Sequence, residues 1–405
     1  MQLLKRSSLV LLLAGLGSCT MRMPPIEKGS FDYDLRFLKK HDDSLVVLSD
    51  GGLGMVAISP KYQGKVFTST AEGSPGKSFG WIKYETFDQK QPDLHMNAFG
   101  GEDRLWLGPE GGKFSLFFKP GTKMEFANWH TPAAVDNERW ELSKENTSST
   151  KVSMSKTTHL QNYAGTYLSI KLEREVEIIP RQNISSLLGI GPDSTVRSVG
   201  FSTRNSIINT GNNAWDQTTG APCLWNLDMF APSPGLVIVV PYNNEAIGKV
   251  ATTNYFGEIP KDRITYKKGI LLFKADGKSR GKLGIPPNRA KSMAGSYDAV
   301  NQVLTITLFD IDNKAQYLNQ EWKTDTEPYS GDAVNAYNDG PLADGKQMGP
   351  FYEIESVSPA AFLKPGEKLT HKHSVFHFTG DKAALNKIAL KTLGVSLDEI
   401  SATFK

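Results

Sequence analysis

Two glutamates that are separated by a single residue are the clearest candidates for proton chemistry in the sequence. Glu353 and Glu355 lie in the segment GPFYEIESVSP. On a strand, alternate side chains face the same side, so the two carboxylates would lie about 7 Å apart. Like charges at that separation raise one another's pKa, which suits acid or base catalysis near neutral pH. A solvent-facing sheet surface also commonly carries acids, and without a pocket that interpretation is the simpler one.

A second group of candidates lies in the stretch FGGEDRLWLGPEGGKF. If Arg104 and Trp106 are on a strand, their side chains point to one face. A guanidinium donates hydrogen bonds in a fork to oxygen atoms, and an indole ring can stack on a sugar, so the pair indicates sugar binding together with Glu110. His95, just upstream, is a further candidate for ligand contact or catalysis. The alternative is that Trp106 is core and Arg104 pairs with a neighbouring acid.

Short polar side chains are concentrated in the segment GDAVNAYNDGP. Asn335, Tyr337, Asn338 and Asp339 form a composition that is typical of a loop and that supplies oxygen ligands for sugar hydroxyls or for Ca²⁺. The spacing does not match an EF-hand loop, so no cofactor is predicted and Ca²⁺ stays an open alternative. The segment is equally consistent with a turn whose side chains satisfy their own backbone.

The histidines and cysteines predict neither a metal centre nor a disulfide framework. His371, His373 and His377 would share one strand face, but ligands along one straight strand are too far apart to converge on one ion. The chain has two cysteines, Cys19 and Cys223. Lipidation of the first would leave the second unpaired, so the core must supply the stability.

The N-terminus has the pattern of a secretory signal. Two basic residues precede an apolar run at residues 9–16, which is shorter than the roughly 20 residues that a membrane-spanning helix needs. The sequence Leu-Gly-Ser-Cys that ends at Cys19 fits the bacterial lipobox, in which the cysteine becomes the acylated N-terminus. We therefore predict an exported protein that a lipid anchors in the cell envelope, at the outer membrane of a Gram-negative bacterium.

The remaining chain is typical of an all-β protein. Short runs of β-type residues, bounded by Gly, Pro, Asn or Asp, follow one another from residue 31 to about residue 380. A helical pattern occurs at the C-terminus, between Asp381 as the N-cap and Gly394 as the end. With so little helix, the strands predict a large antiparallel β-super-sandwich with a short C-terminal helix. A formal charge of +3 does not suggest a nucleic-acid binder.

These observations divide the chain into three parts. No Pro-rich or charged linker interrupts the strand-rich region, so we expect one large domain. The parts are a signal peptide, a lipidated tether and a single β-sandwich domain, at residues 1–18, 19–30 and 31–405.

Several segments resemble the galactose mutarotase-like superfamily. GMVAISPKYQGKVFTST is similar to its opening strands, SVGFSTRNSIINTGNNAW to its central strand, and YEIESVSPAAFLKPGEKLTHKHSVFHF to its closing pair of strands. More narrowly, GGEDRLWLGPEGG and YNDGP resemble an uncharacterised family of bacterial lipoproteins with that fold. The resemblance covers nearly the whole mature chain.

The resemblance implies roles for three of the candidate residues. In the aldose 1-epimerases of this superfamily, a glutamate of the closing strands is the base and an arginine holds the sugar. Glu353 or Glu355 would then be the base, and Arg104 would be the arginine. The family's acid is a histidine on a central strand.

That histidine has no counterpart where it is expected, in residues 209–230. Trp225 in this segment could line a sugar site instead, and His95 could supply the proton from another strand. We therefore predict an envelope lipoprotein that binds or processes carbohydrate, with aldose 1-epimerase-like chemistry as its reaction if it is an enzyme. The alternatives are a noncatalytic envelope interaction protein and a glycoside hydrolase or lyase.

Overall fold

The structure is a computed structural model that describes residues 27–191, 193–342 and 344–405. The predicted signal peptide and Cys19 lie outside the described residues, so the N-terminal boundaries and the lipid anchor stay predictions. Within the described ranges, no helix is long and apolar enough to cross a membrane.

Strands account for most of the regular structure. The first nine in chain order are β1 (Val46–Ser49), β2 (Met55–Ser59), β3 (Lys65–Thr70), β4 (Arg104–Gly108), β5 (Glu141–Leu142), β6 (Lys151–Gln161), β7 (Tyr167–Ile178), β8 (Val196–Asn209) and β9 (Cys223–Phe230). The following nine are β10 (Leu236–Pro241), β11 (Ile264–Lys267), β12 (Ile270–Lys274), β13 (Gly281–Ile285), β14 (Met293–Asp298), β15 (Val303–Phe309), β16 (Val334–Asn338), β17 (Tyr352–Val357) and β18 (Lys368–Gly380).

Helices are short, and three of the five lie near the two ends of the described chain. They are α1 (Phe31–His41), α2 (Tyr84–Phe87), α3 (Arg181–Leu188), α4 (Lys382–Thr392) and α5 (Leu397–Ala402), with single 3₁₀ turns at Phe126–Asn128 and Ala133–Val135. The predicted C-terminal helix is confirmed as α4, and the Asp381 carboxylate caps it by accepting a hydrogen bond from the Ala384 amide at 2.9 Å. Helix α1 was not predicted, although Ser30 caps it and Phe31, Leu35 and Leu38 bury its apolar stripe.

The strands form three sheets, and neighbouring strands pair antiparallel. A ten-stranded sheet has the order β11-β12-β10-β14-β15-β18-β8-β7-β6-β5, a five-stranded sheet has the order β13-β16-β17-β9-β4, and β1, β2 and β3 form a third sheet. The inner face of the five-stranded sheet packs on the ten-stranded sheet, and apolar residues of both form one continuous core. The predicted all-β antiparallel sandwich is confirmed.

Strand β17 is the centre of the five-stranded sheet, and its alternation sets the two faces of that sheet. Tyr352 and Ser356 point inward, where the Tyr352 hydroxyl lies 2.8 Å from the Ser296 hydroxyl of the ten-stranded sheet. Glu353 and Glu355 consequently point outward. This is the arrangement that the sequence pattern predicts for the two acids.

Candidate functional site

A cleft lies on the outer face of the five-stranded sheet, and all five strands of that sheet contribute to it. Arg104 of β4, Trp225 of β9 and Glu353 of β17 line it, together with Tyr337 of β16 and Lys282 of β13. Segments that are far apart in the sequence, near residues 104, 337 and 353, therefore meet on one face of one sheet.

The walls of the cleft are aromatic and come from the connections between strands. Phe126, Trp129, Phe256 and Trp322 stand around the sheet residues. The Trp129 and Trp322 rings stack with centroids 6.1 Å apart. The space between these rings has a volume of about 80 Å³. The cleft is therefore a narrow slit between aromatic rings.

Two ion pairs form the floor of the slit. Arg104 donates to the Glu353 carboxylate at 2.5 Å, and Lys282 donates to the Glu355 carboxylate at 3.0 Å. The two cations stand on the opposite edge strands of the sheet, so each reaches across one strand to the central strand β17. The Trp225 indole N–H also donates to Glu355, at 2.9 Å. Each of the two neighbouring acids thus has its own cation.

The same two cations also lie against aromatic rings. The guanidinium carbon of Arg104 is 4.9 Å from the ring centroid of Trp106, and the Lys282 ammonium is 4.4 Å from that of Trp225. Trp106 and Trp225 are directly opposite in the β4–β9 pairing, and their rings meet edge to face at 5.6 Å. Cation–π contacts hold each cation over the face of its ring.

Burial shifts the proton affinity of two carboxyl groups at the cleft. It raises the pKa of Glu353 to about 8, although the Arg104 charge opposes this shift. Burial likewise raises the pKa of Glu110 above its ordinary value, against the opposing charge of Lys282. Trp322 lies close enough to Glu110 to lower that pKa slightly, but the pair does not reach hydrogen-bond geometry. A carboxyl group with a near-neutral pKa can both accept and donate a proton at physiological pH.

Several buried polar atoms at the cleft have no hydrogen-bond partner among the described residues. Three of them, Arg104 Nε and the indole nitrogens of Trp129 and Trp322, belong to lining residues, and Glu355 Oε1 and Asn335 Oδ1 lie on the same face of the sheet beneath them. Buried polar atoms in native proteins are almost always hydrogen-bonded, to protein or to another molecule. Their concentration around one slit marks the place where a polar ligand would complete the hydrogen bonding.

Most of the residues predicted from the sequence are brought together here. Those that line the cleft are Arg104, Trp106, Glu110, Trp225, Tyr337 and Glu353. Glu355 lies beneath them and is fully buried. Asn335 is opposite Glu355 in the β16–β17 pairing, where its amide donates to the Leu283 carbonyl at 3.2 Å.

The predicted loop around residues 335–339 is instead strand β16, and this corrects the role of two residues. Asn338 faces away from the cleft, donates to the Ser279 carbonyl at 2.8 Å and accepts from the Gly277 amide at 2.9 Å. Asp339 accepts from the Tyr337 hydroxyl at 2.8 Å. Both side chains therefore hold neighbouring segments in place, because pairing with β13 and β17 outweighs the turn preference of Asn and Asp.

His95 packs against the wall residues Phe126 and Trp129 and does not itself line the cleft. Its Nδ1 is 2.6 Å from the Trp129 carbonyl oxygen, and its ring lies 4.4 Å from that of Phe126 and 5.1 Å from that of His130. The described residues that line the cleft include no histidine. Glu110, which does line the slit, is therefore better placed than His95 to donate a proton to a ligand.

The three histidines of β18 share a face, as the sequence predicts, and this face is the interior. His371 Nε2 and His373 Nδ1 each lie 2.8 Å from the Ser356 hydroxyl, and His377 Nε2 lies 2.9 Å from the Glu102 carboxylate. The part of the chain that the structure describes contains no group of three or more His, Cys, Asp or Glu side chains arranged to hold a metal ion.

The sequence did not point to Lys282, Arg280, Trp129, Phe256 or Trp322. Lys282 sits in a short strand whose partner strands are not evident from local pattern. Trp129 and Trp322 could have been suspected from the sequence, since large aromatic residues in the connections between strands often line a binding site.

The fold is that of the galactose mutarotase-like proteins, which confirms the resemblance seen in the sequence. The Slr1438 protein of Synechocystis sp. PCC 6803 is 13% identical, with 83% of this chain and 95% of that chain covered and a TM-score of 0.50. A protein of Escherichia coli K12 with a provisional aldose 1-epimerase name is 10% identical, with 82% and 98% covered and a TM-score of 0.49. A galactose mutarotase-like protein of Lactobacillus casei is 12% identical, with 82% and 100% covered and a TM-score of 0.47.

Within this fold, the chain belongs to a family of unknown function, DUF6786, whose model matches residues 29–404. No curated protein matches the chain at a significant level. At 10–13% identity, the similarity to these solved structures shows the fold alone, so the chemistry of the cleft is argued from its own residues.

Proposed function

We propose that the protein binds a carbohydrate in the cleft and interconverts the two anomers of its reducing sugar. The unpartnered polar atoms between aromatic walls carry this proposal. A sugar ring is flat enough for a narrow slit, it has apolar C–H faces for Trp106 and Trp225, and its hydroxyl groups both donate and accept hydrogen bonds. Ligand sites commonly combine an apolar lining with a few converging polar groups.

The reaction assigns one role to each of two carboxyl groups. Glu353 accepts the proton of the anomeric hydroxyl while the bond between the anomeric carbon and the ring oxygen breaks. Glu110, whose pKa burial raises above its ordinary value, gives a proton to that ring oxygen, and an open-chain aldehyde results. Rotation about the C1–C2 bond and the reverse proton transfers close the ring with the other configuration. Arg104 holds the Glu353 carboxylate in position.

Noncatalytic sugar binding is the second candidate, and the ion pairs favour it. Glu353 and Glu355 are each engaged by a cation, and a base must leave its cation or share it before it accepts a proton. A protein that only holds a glycan would use the same ion pairs to fix its binding surface. Glycoside cleavage is a third outcome that the experiment below separates from these two.

We also propose that Cys19 carries a lipid and attaches the domain to the cell envelope. The lipobox-like sequence that ends at this residue supports the proposal. Metabolic labelling with an alkyne fatty acid should label the wild-type protein and not Cys19→Ser. Equal labelling of both would overturn it.

The sugar-binding proposal is tested with the purified mature domain and a glycan panel. Ligand-observed NMR detects binding, and exchange between the two anomeric proton signals measures turnover. Glu353→Gln and Glu110→Gln should each lower turnover by roughly 10²- to 10⁴-fold, the usual contribution of general acid–base catalysis, while binding persists. Glu177→Gln is the matched control, since Glu177 is exposed on the ten-stranded sheet.

Each outcome of this experiment decides between the candidates. Binding without anomer exchange in the wild type supports the noncatalytic candidate. New reducing ends from an oligosaccharide support glycoside cleavage. Wild-type turnover in Glu353→Gln would show that the base is assigned wrongly, and the absence of binding across the panel would overturn the sugar site itself.

A further inference from the structure

The charges around the cleft do not cancel in pairs. Six charged side chains surround it: Arg104, Glu110, Arg280, Lys282, Glu353 and Glu355. Four of them form the two ion pairs of the floor, which leaves Arg280 and Glu110. Arg280 forms no ion pair with a carboxylate of a described residue, and its side chain donates instead to the Tyr337 hydroxyl.

Arg280 is held in one orientation by uncharged groups. Its guanidinium carbon lies 3.9 Å from the ring centroid of Phe256, and its Nε donates to the Tyr337 hydroxyl at 3.2 Å. Asp339 in turn accepts a hydrogen bond from that hydroxyl, at 2.8 Å. Neither terminal nitrogen of Arg280 donates to a described residue. The two-pronged end of the guanidinium therefore remains available at the edge of the cleft.

The unpartnered buried atoms of the described residues that line the cleft are donors, namely Arg104 Nε and the indole nitrogens of Trp129 and Trp322, while the unpartnered acceptors Glu355 Oε1 and Asn335 Oδ1 lie deeper. Guanidinium, ammonium and indole nitrogens donate hydrogen bonds and do not accept them. Arg104 Nε and the Trp129 indole nitrogen have no partner among the described residues, and Lys282 donates to a single carboxylate with one of its three hydrogens. A ligand that is rich in acceptors would satisfy this set better than one with hydroxyl groups alone.

We propose that the cleft selects sugars that carry an oxyanion, either the carboxylate of a uronic acid or a sulfate or phosphate ester, and that Arg280 binds this group. A planar guanidinium matches two oxygens of such a group in a fork, and stacking on Phe256 prepares it for that contact. Arg280 directly precedes β13, the edge strand of the sheet, so the charged substituent points toward that edge. The inference rests on the proposed sugar site and specifies its substrate class.

The test compares charged and neutral sugars of the same configuration. Dissociation constants are measured by calorimetry for galacturonate against galactose, glucuronate against glucose, and the 6-sulfate and 6-phosphate of both hexoses. The wild type should bind one charged class at least tenfold more tightly than its neutral partner. This preference should fall at least tenfold in Arg280→Gln, and Arg280→Lys should keep part of it, because the charge remains and the fork is lost.

The controls separate a local effect from misfolding and from general charge. Lys278→Gln removes an equal charge from an exposed position two residues away and should leave the preference unchanged. Thermal melting of all variants confirms that they are folded. The charged sugars that bind more tightly than their neutral partners identify the preferred substituent as carboxylate, sulfate or phosphate.

The possible failures are distinguishable. If neutral hexoses bind as tightly as all charged ones, the inference is overturned while the sugar site stands. If the wild type prefers a charged sugar and Arg280→Gln keeps that preference, Arg280 is not the recognition residue. If no sugar of either kind binds, the proposed function fails and the inference fails with it.

Discussion

Two buried arginines, one on each side of the five-stranded sheet, are used differently. Arg174 of β7 fills the interior and makes four hydrogen bonds: to the Gly64 carbonyl at 2.9 Å, to Asn205 at 2.7 Å, and to the Asp103 carbonyl and carboxylate at 3.2 and 3.1 Å. Arg104, on the cleft side, makes one side-chain hydrogen bond, to Glu353, and its Nε has no partner among the described residues.

The difference indicates which buried charges serve the fold and which are available to a ligand. A buried ion pair contributes to a stable structure only when nearly all of its hydrogen-bonding groups are satisfied. The interior pair meets this condition, since Thr203 and Asn226 also donate to the Asp103 carboxylate, at 3.0 and 2.9 Å. The pair on the cleft side is incomplete, and a bound sugar would complete it.

The largest expected effect is on the free energy of unfolding, when each of the two arginines is replaced in a separate variant. Arg174→Met leaves Asp103 charged in the interior without its cation, so it should lower the free energy of unfolding by about 3–5 kcal/mol. Arg104→Met should cost only about 1–2 kcal/mol, because Glu353 already has a raised pKa and can take up a proton. Urea unfolding of both variants and the wild type measures the costs.

Binding measurements complete this comparison. Arg104→Met should lose sugar affinity despite its modest loss of stability. If the two variants are equally destabilised, or if Arg104→Met binds sugar like the wild type, the distinction between the two sides of the sheet is wrong.

The sequence predicts one face of this sheet well, because alternation along a strand is a local property. The pairs Arg104/Trp106 and Glu353/Glu355 each share a face, and the structure places both pairs on the same side of one sheet. Local pattern cannot specify which strands become neighbours. The reach of Lys282 across β16 to Glu355 depends on the pairing of Lys282 with Tyr337, 55 residues further along the chain, and it was not predicted.

Two expectations about the local structure of the candidate site differ from the structure for the same reason. The segment around Asn335 and Asp339 has the composition of a turn, but two flanking strands hold it extended. His95 was considered as a proton donor because of its residue type. The Trp129 carbonyl holds the His95 ring in position, and the sequence alone does not show that these two segments are in contact.

A smaller effect is expected when the pH is lowered, and it concerns the stability that the buried His371 contributes in the interior. Burial lowers the pKa of His371 to about 3, and the nearby His373 adds to this shift. The unfolded chain, with an ordinary pKa near 6.5, binds a proton that the folded protein excludes. The stability contributed by neutral His371 is therefore complete above pH 6.5 and is lost as the pH falls toward 3, at up to about 1.4 kcal/mol per pH unit.

This contribution is isolated by comparing the wild type with His371→Gln, which keeps a polar group near Ser356. Other groups titrate in the same range, among them Asp228, whose pKa burial raises to about 7, but they are common to both proteins. The stability of the wild type relative to His371→Gln should fall on acidification, as measured by urea unfolding between pH 7 and pH 4.5. His159→Gln, at an exposed position of β6, is the control. A pH-independent difference would contradict the buried neutral histidine.

The smallest expected effect distinguishes two tryptophans. In the interior, the Trp140 indole N–H donates to the Ala134 carbonyl at 2.8 Å, so Trp140→Phe loses that bond and leaves a cavity. Trp106→Phe keeps a ring beneath Arg104 but weakens the cation–π contact, which is worth about 0.5–1 kcal/mol. We expect Trp106→Phe to lower sugar affinity about two- to fivefold with little loss of stability, and Trp140→Phe to do the reverse, by calorimetry and urea unfolding. Unchanged affinity in Trp106→Phe together with a loss of stability equal to that of Trp140→Phe would place Trp106 with the structural residues and remove stacking from the cleft.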